Sequence, residues 1–256
     1  MKIIFEDDYL LVIDKPPGLV VDKSKTQKED TLEDLLRIDL ERSGIVHRLD
    51  KDTSGVLLVA KTQETLDNLQ LQFKERKVKK EYLVLVHGFI NKAGRVEGAV
   101  GRNPGNREKF SVLPIGKQAI TEYEPVKNFK FPIVFQTAFG GTNFKSIFAD
   151  FNKIQMRKLE KMKYNQFTLL TCQPKTGRTH QIRVHLKYIG NPIVSDEKYV
   201  GRKMYRLDKR WCPRMFLHAK KLGFYHPVFG EWIEVESELP EDLRKVLWKA
   251  FLYNLL

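Results

Sequence analysis

The chain has 256 residues, 42% of them hydrophobic, which is enough to bury a real core as one large domain or two small ones. Its 45 Lys+Arg against 32 Asp+Glu give a formal net charge of +13, a balance that favours a polyanionic partner but would also suit an ordinary basic protein. No apolar run reaches membrane-spanning length, the first residues lack a signal peptide's apolar stretch, and Cys172 and Cys212 have no C-x-x-C spacing. A cytoplasmic protein without membrane span, disulfide framework or zinc site is therefore expected.

In chain order, residues 3–5 and 10–13 read as short strands split by Glu6-Asp7-Asp8, and Lys15-Pro16-Pro17-Gly18 forces a turn before Leu19-Val20-Val21. The segment 45–55 places one carboxylate, Asp50, among cations and turn formers, and the apolar run 56–60 behind it predicts a buried strand that holds the loop rigidly. Thr62 is a plausible N-cap for a helix reaching about Arg76, with Glu64 in the first turn and Leu66, Leu69 and Phe73 on one face. The cluster Lys74, Arg76, Lys77, Lys79 and Lys80 closes it. These cations complement the helix dipole and also suit a phosphate backbone. A strand over 82–86 follows.

Residues 91–118 read as loops around short strands, rich in Gly, Asn and basic residues. Strands are predicted over 119–126, 167–172, 215–224 and 232–235. Pro240 starts a last helix in which Leu243, Leu247, Ala250 and Phe251 share a face. Short-linked strand groups with helices between them predict an α+β fold on a mixed, mostly antiparallel central sheet flanked by helices and loops. No internal repeat or linker divides the chain, so residues 1–256 are expected to form one catalytic domain.

Three blocks carry a resemblance. The run His47-Arg48-Leu49-Asp50-Lys51-Asp52-Thr53-Ser54-Gly55 is similar to the signature of RluA-type RNA pseudouridine synthases, members of the RsuA/RluA-like superfamily. Gly177-Arg178-Thr179-His180-Gln181-Ile182-Arg183-Val184-His185 is similar to a second block of that family. The segment 4–18 and the extension of the second block through Gly190-Asn191-Pro192 to Tyr199 complete the match. The resemblance implies isomerisation of uridines in ribosomal RNA or tRNA to pseudouridine. That chemistry breaks the glycosidic C–N bond, turns the base in the site and joins C5 to C1′, without cofactor or metal.

By the same resemblance Asp50 is the nucleophile, Arg183 its ion partner, and Tyr82 stacks on the base and is a candidate for proton transfer. Leu217 walls the pocket, and Arg48 takes the place of the extruded nucleotide. His47 and Thr53 join the substrate-binding set. Each residue type fits its role physically: a buried carboxylate needs a cation to stay ionised, and a planar guanidinium can stack and hydrogen-bond. Asp50 standing alone would read as a salt bridge with Arg48 or Lys51. Arg178 reads equally as an RNA contact or as support for its loop. His180 and His185, five apart with no cysteine near, read as structural hydrogen-bonding residues rather than zinc ligands.

Many members carry an S4-type RNA-binding domain before the catalytic blocks, whereas this sequence starts at those blocks. It also has extra residues at about 135–165, read as a basic helical insertion. There Gly140-Gly141-Thr142-Asn143 precedes a run over 146–163 whose Ile147, Phe151, Ile154, Leu159 and Met162 could share a face. Lys153, Arg157, Lys158, Lys161 and Lys163 lie elsewhere on it, as a second RNA grip or as a solvated face. An RNA partner and a monomer are expected. The rival readings are a non-catalytic RNA-binding protein or chaperone on the same fold, and a carboxylate-dependent glycosidase or nucleosidase, which would want a second acid.

Overall fold

The computed structural model describes residues 1–23, 30–130, 148 and 150–252. Along the chain run β1 (Lys2–Glu6), β2 (Leu10–Lys15), α1 (Leu32–Leu36), a short 3-10 turn (Glu41–Gly44), β3 (Ser54–Ala60), α2 (Gln63–Lys74) and β4 (Lys79–His87). After these come β5 (Gly94–Asn103), β6 (Asn106–Val112), β7 (Lys117–Lys130), α3 (Lys153–Lys161), β8 (Gln166–Pro174) and α4 (Gln181–Tyr188). The last elements are α5 (Arg202–Asp208), β9 (Leu217–Tyr225), β10 (Trp232–Glu236) and α6 (Glu241–Leu252).

The strands form one sheet in the order β1-β2-β3-β9-β4-β8-β7-β5-β6, with β10 paired to β9. Every pairing is antiparallel except β3 with β9, where Ser54 lies opposite His218 and Gly55 opposite Ala219. The fold is thus α+β on a mixed, mostly antiparallel sheet. The parallel seam requires Gly55: its φ is +114°, and a Cβ there would lie 2.1 Å from the Ala219 carbonyl oxygen.

β3 is buried along its whole length, as a strand covered on both faces must be. One face meets Leu66 and Leu69 of α2; the other packs with Leu32, Leu49 and Ala219. Thr62 caps α2 by accepting from the Thr65 amide at 3.2 Å. A larger cluster of Phe167, Phe216, Trp211, Tyr164, Leu243 and Val246 joins β8, α5 and α6.

Residues 91–118 are not mainly loop. They form two long strands joined at Asn103, whose Oδ1 accepts from the Gly105 and Asn106 amides at 2.9 and 3.1 Å. The glycines and the run Arg107-Glu108-Lys109 hide the strand pattern, and charges on β6 are what an edge strand carries. α3 keeps only part of the 146–163 run. Asn152 caps it and pairs reciprocally with Gln155, while 146, 147 and the Gly140-Gly141-Thr142-Asn143 stretch lie outside the described residues. Phe148 and Leu159 are buried and Phe151 half-buried, yet Ile154 is 66% exposed, so it does not share their face. Ala250 and Phe251 likewise lie outside the described side chains. α1, with its Thr31–Asp34 capping box, and α5 add to the expected elements.

Candidate active site

Beside the parallel seam opens a cleft of about 550 Å³, lined by the 46–53 loop, Tyr82 of β4, the 174–183 segment and Leu217 at the start of β9. Eight of its lining side chains are Lys or Arg and one, Asp50, is acidic. A cleft so charged draws in a polyanion and sets one carboxylate against it.

The Asp50 loop is fastened from below. Thr53 closes it by donating its amide to the Asp50 carbonyl at 3.0 Å. Lys15 is fully buried and directs its ammonium to the carbonyls of Pro16, Leu19 and Lys51 at 2.7, 2.9 and 3.1 Å. Burial pulls its pKa down to about 8, against the attraction of Asp52. Arg214 donates to the Asp52 carbonyl at 3.2 Å and the Ser54 hydroxyl at 3.1 Å while paired with Asp242 of α6. The Ser54 hydroxyl also meets His218 Nδ1 at 3.1 Å.

Asp50 and Arg183, 133 positions apart, meet at 2.8 Å between Oδ2 and a terminal guanidinium nitrogen. Among the described residues nothing hydrogen-bonds to Asp50 Oδ1. The rest of the guanidinium is held by Asp196, whose two oxygens accept from Nε and the other terminal nitrogen at 2.8 Å each. Burial works against the Arg183 charge, but the bonds and charge of Asp196, helped by Asp50, outweigh it and raise its pKa above the ordinary value. Asp196 is fully buried. In the sequence it lies only in the extension of the second matching block, with no role assigned to it.

Tyr82 is half-buried, with its strand pinned between β8 and β9. Burial, and then the Asp50 charge, push its phenol above the usual pKa, so it is a neutral hydroxyl at ordinary pH. Leu217 is buried and lines the same cleft. Thr53 is 2% exposed, and its hydroxyl has no hydrogen-bond partner among the described residues. Lys80 reaches the Thr176 carbonyl at 3.4 Å, its pKa lowered to about 8 by burial and then by Arg178.

Arg48 is exposed and paired with Asp22 at 2.6 Å. Arg178 holds the Gln118 carbonyl at 3.3 Å and still borders the cleft, so both readings of it stand. His47 is tied to structure: Nε2 accepts from the Leu58 amide at 3.1 Å, and the ring stacks on Phe73 at 4.9 Å. Burial holds its pKa to about 3. His185 is fully buried, with Nδ1 2.9 Å from the Thr121 hydroxyl, as a structural residue would be. His180 is different, since it borders the cleft with Nε2 3.9 Å from Asp50 Oδ2.

Among the described residues no helix is long and apolar enough to cross a membrane, and no three His, Cys, Asp or Glu side chains gather as a metal site. The chain is 39% identical over 262 residues to the ribosomal large subunit pseudouridine synthase D of Nitrosomonas europaea, spanning 96% of this chain and 64% of that one. It is 38% identical over 260 residues to an uncharacterized RNA pseudouridine synthase of Aquifex aeolicus, spanning 96% of this chain and 72% of that one. Among solved structures, human RNA pseudouridylate synthase domain containing 1 superposes with a TM-score of 0.66 at 25% identity, covering 93% of this chain and 83% of that one. Since the family model described as RNA pseudouridylate synthase also matches residues 9–188, this chain belongs to the RNA pseudouridylate synthase family.

Proposed function

We propose that this protein isomerises uridine in RNA to pseudouridine, with Asp50 as nucleophile. The observation that carries the reading is the 2.8 Å contact of Arg183 with Asp50 in a cleft where Asp50 is the one acidic side chain among eight Lys and Arg. Arg183 anchors Oδ2 at 2.8 Å, so Oδ1 is left to meet the ribose of a nucleotide turned out of its stack. Oδ1 bonds to C1′ as the C–N bond breaks, the freed base turns between Tyr82 and Leu217, and C5 then displaces the carboxylate from C1′, the proton lost at C5 being matched by one taken up at N1. A neutral Tyr82 phenol suits stacking and hydrogen bonding better than taking up that proton.

Thr53, whose hydroxyl has no partner among the described residues, would hydrogen-bond the nucleotide in this reading. Arg48 serves as the RNA contact on releasing Asp22, and Lys80 with Arg178 would face phosphates. We assign His47 a supporting role. The names of the relatives favour large-subunit ribosomal RNA as the substrate, and such a protein would work in the cytoplasm as one catalytic unit over 1–256.

Asp50→Asn tests the reading. It keeps the side-chain volume and leaves Arg183 held by Asp196, so stability should stay within about 1 kcal/mol of the parent. Pseudouridine formation, mapped on ribosomal RNA by carbodiimide primer extension, should vanish. Normal turnover by this variant would sink the assignment, and release of free uracil by the parent would point to a glycosidase.

A further inference from the structure

His180 sits at the N-terminus of α4 with left-handed backbone, φ +56° and ψ 19°, and borders the cleft. Its Nδ1 is 2.8 Å from the Tyr199 hydroxyl. That hydroxyl also accepts from the Phe110 amide of β6 at 2.9 Å. Tyr199 is 7% exposed, and its ring lies under the Arg183 guanidinium at 5.0 Å.

These contacts fix where the protons are. Among the described residues the Tyr199 O–H has one acceptor in reach, His180 Nδ1. Were Nδ1 protonated, two donors would face each other in a buried place and one would go unsatisfied. The proton of the neutral ring therefore belongs on Nε2, the nitrogen 3.9 Å from Asp50 Oδ2. That separation is too long for a hydrogen bond, so the Nε2–H remains free to serve a bound molecule.

We propose that His180 presents this Nε2–H to an acceptor oxygen of the uridine bound at Asp50, and that Tyr199 is the positioning residue that sets its tautomer. The inference rests on the isomerase reading for the identity of the ligand but not for the tautomer. Burial holds the His180 pKa to about 4, with Asp50 raising it and Arg183 lowering it, which keeps the ring a neutral donor. A cation there would compete with Arg183 for the nucleophile, whereas a neutral donor does not. The relay also links the β5–β6 hairpin to the reacting centre, because the Phe110 amide occupies a lone pair that the Tyr199 oxygen could otherwise turn to Nδ1.

Long-range 1H–15N correlation on the histidine-labelled full chain, with His180 assigned by its loss in His180→Gln, reads the tautomer without turnover. The Nε2-protonated form is expected in the parent and a mixture in Tyr199→Phe, which keeps the ring under Arg183. At saturating RNA, Tyr199→Phe and His180→Ala should each turn over about tenfold more slowly with KM little changed, and His180→Gln should recover part of the loss through its amide donor. An Nδ1-protonated His180 in the parent would overturn the relay. Parental turnover by His180→Ala would overturn the donor role. A parent that makes no pseudouridine would remove the isomerase reading, and the tautomer would then decide the relay by itself.

Discussion

At the scale of single residues, Arg183 is the side chain on which most depends, because it neutralises two carboxylates at once. Asp196 is fully buried and Asp50 partly so. Replacing Arg183 by Met would leave the buried Asp196 unpaired and should cost about 3–5 kcal/mol, more than an Asp50 partner alone would predict. Arg183→Lys restores a charge but not the fork that grips Asp196 and Asp50 together, so it should recover part of the stability and little of the rate. Denaturant unfolding of both variants beside the Asp50→Asn protein checks this. Stability equal to the parent in Arg183→Met would remove the ion-pair argument. The Asp50 and Arg183 pairing was legible because each lies in a long matching block. Asp196 was not, because a turn at Ser195 with φ +57° aims it back at Arg183, and no local pattern encodes that return.

At the scale of elements, the parallel seam between β3 and β9 determines where the chemistry sits. It brings the Asp50 loop beside Leu217 and next to Tyr82 on the neighbouring strand. Gly55→Ala would push a methyl onto the Ala219 carbonyl at a φ that L-residues avoid, and should lower stability by roughly 3 kcal/mol or more. Rate and stability should fall together, measurable by denaturant titration and turnover. A variant as stable as the parent would mean the seam opens at little cost. The basic helix α3 makes a separate prediction. Lys153, Arg157, Lys158, Lys161 and Lys163 are all exposed, so changing them together to Gln leaves the fold intact. If they meet phosphates, the salt dependence of RNA binding should flatten by about 0.7 in log-log slope per lost contact on a single strand. A filter-binding titration with an unchanged slope would leave α3 as a solvated face.

At the scale of the whole molecule, stability should depend on pH through histidines kept neutral by burial. His47 and His180 have folded pKa values lowered to about 3 and about 4, and burial lowers His185 and His218 as well. The unfolded chain takes up these protons near pH 6.5, the folded one only at lower pH. The stabilisation is therefore full above about 6.5 and lost as pH falls toward 4, with a slope of up to about 1.4 kcal/mol per pH unit for each such group. His47→Gln should shallow the slope. A flat melting temperature between pH 7 and pH 4.5 would contradict the account.

The sequence by itself determined the family, the α+β class and the pairing of Asp50 with Arg183. Those depend on contiguous residue types: a carboxylate among cations, the two long family-like blocks, and apolar runs of strand length. Even the N-cap of α2 was readable, since Thr62 and the Thr65 amide are local. What only the tertiary structure decided lies in contacts between distant segments. Lys15 bracing the Lys51 carbonyl, Asp196 gripping Arg183, and Phe110 with Tyr199 fixing the His180 tautomer each join elements far apart in the chain. The β5–β6 hairpin was misread for a related reason: an edge strand is stabilised by its neighbour's backbone, and its charged side chains leave no periodicity to detect.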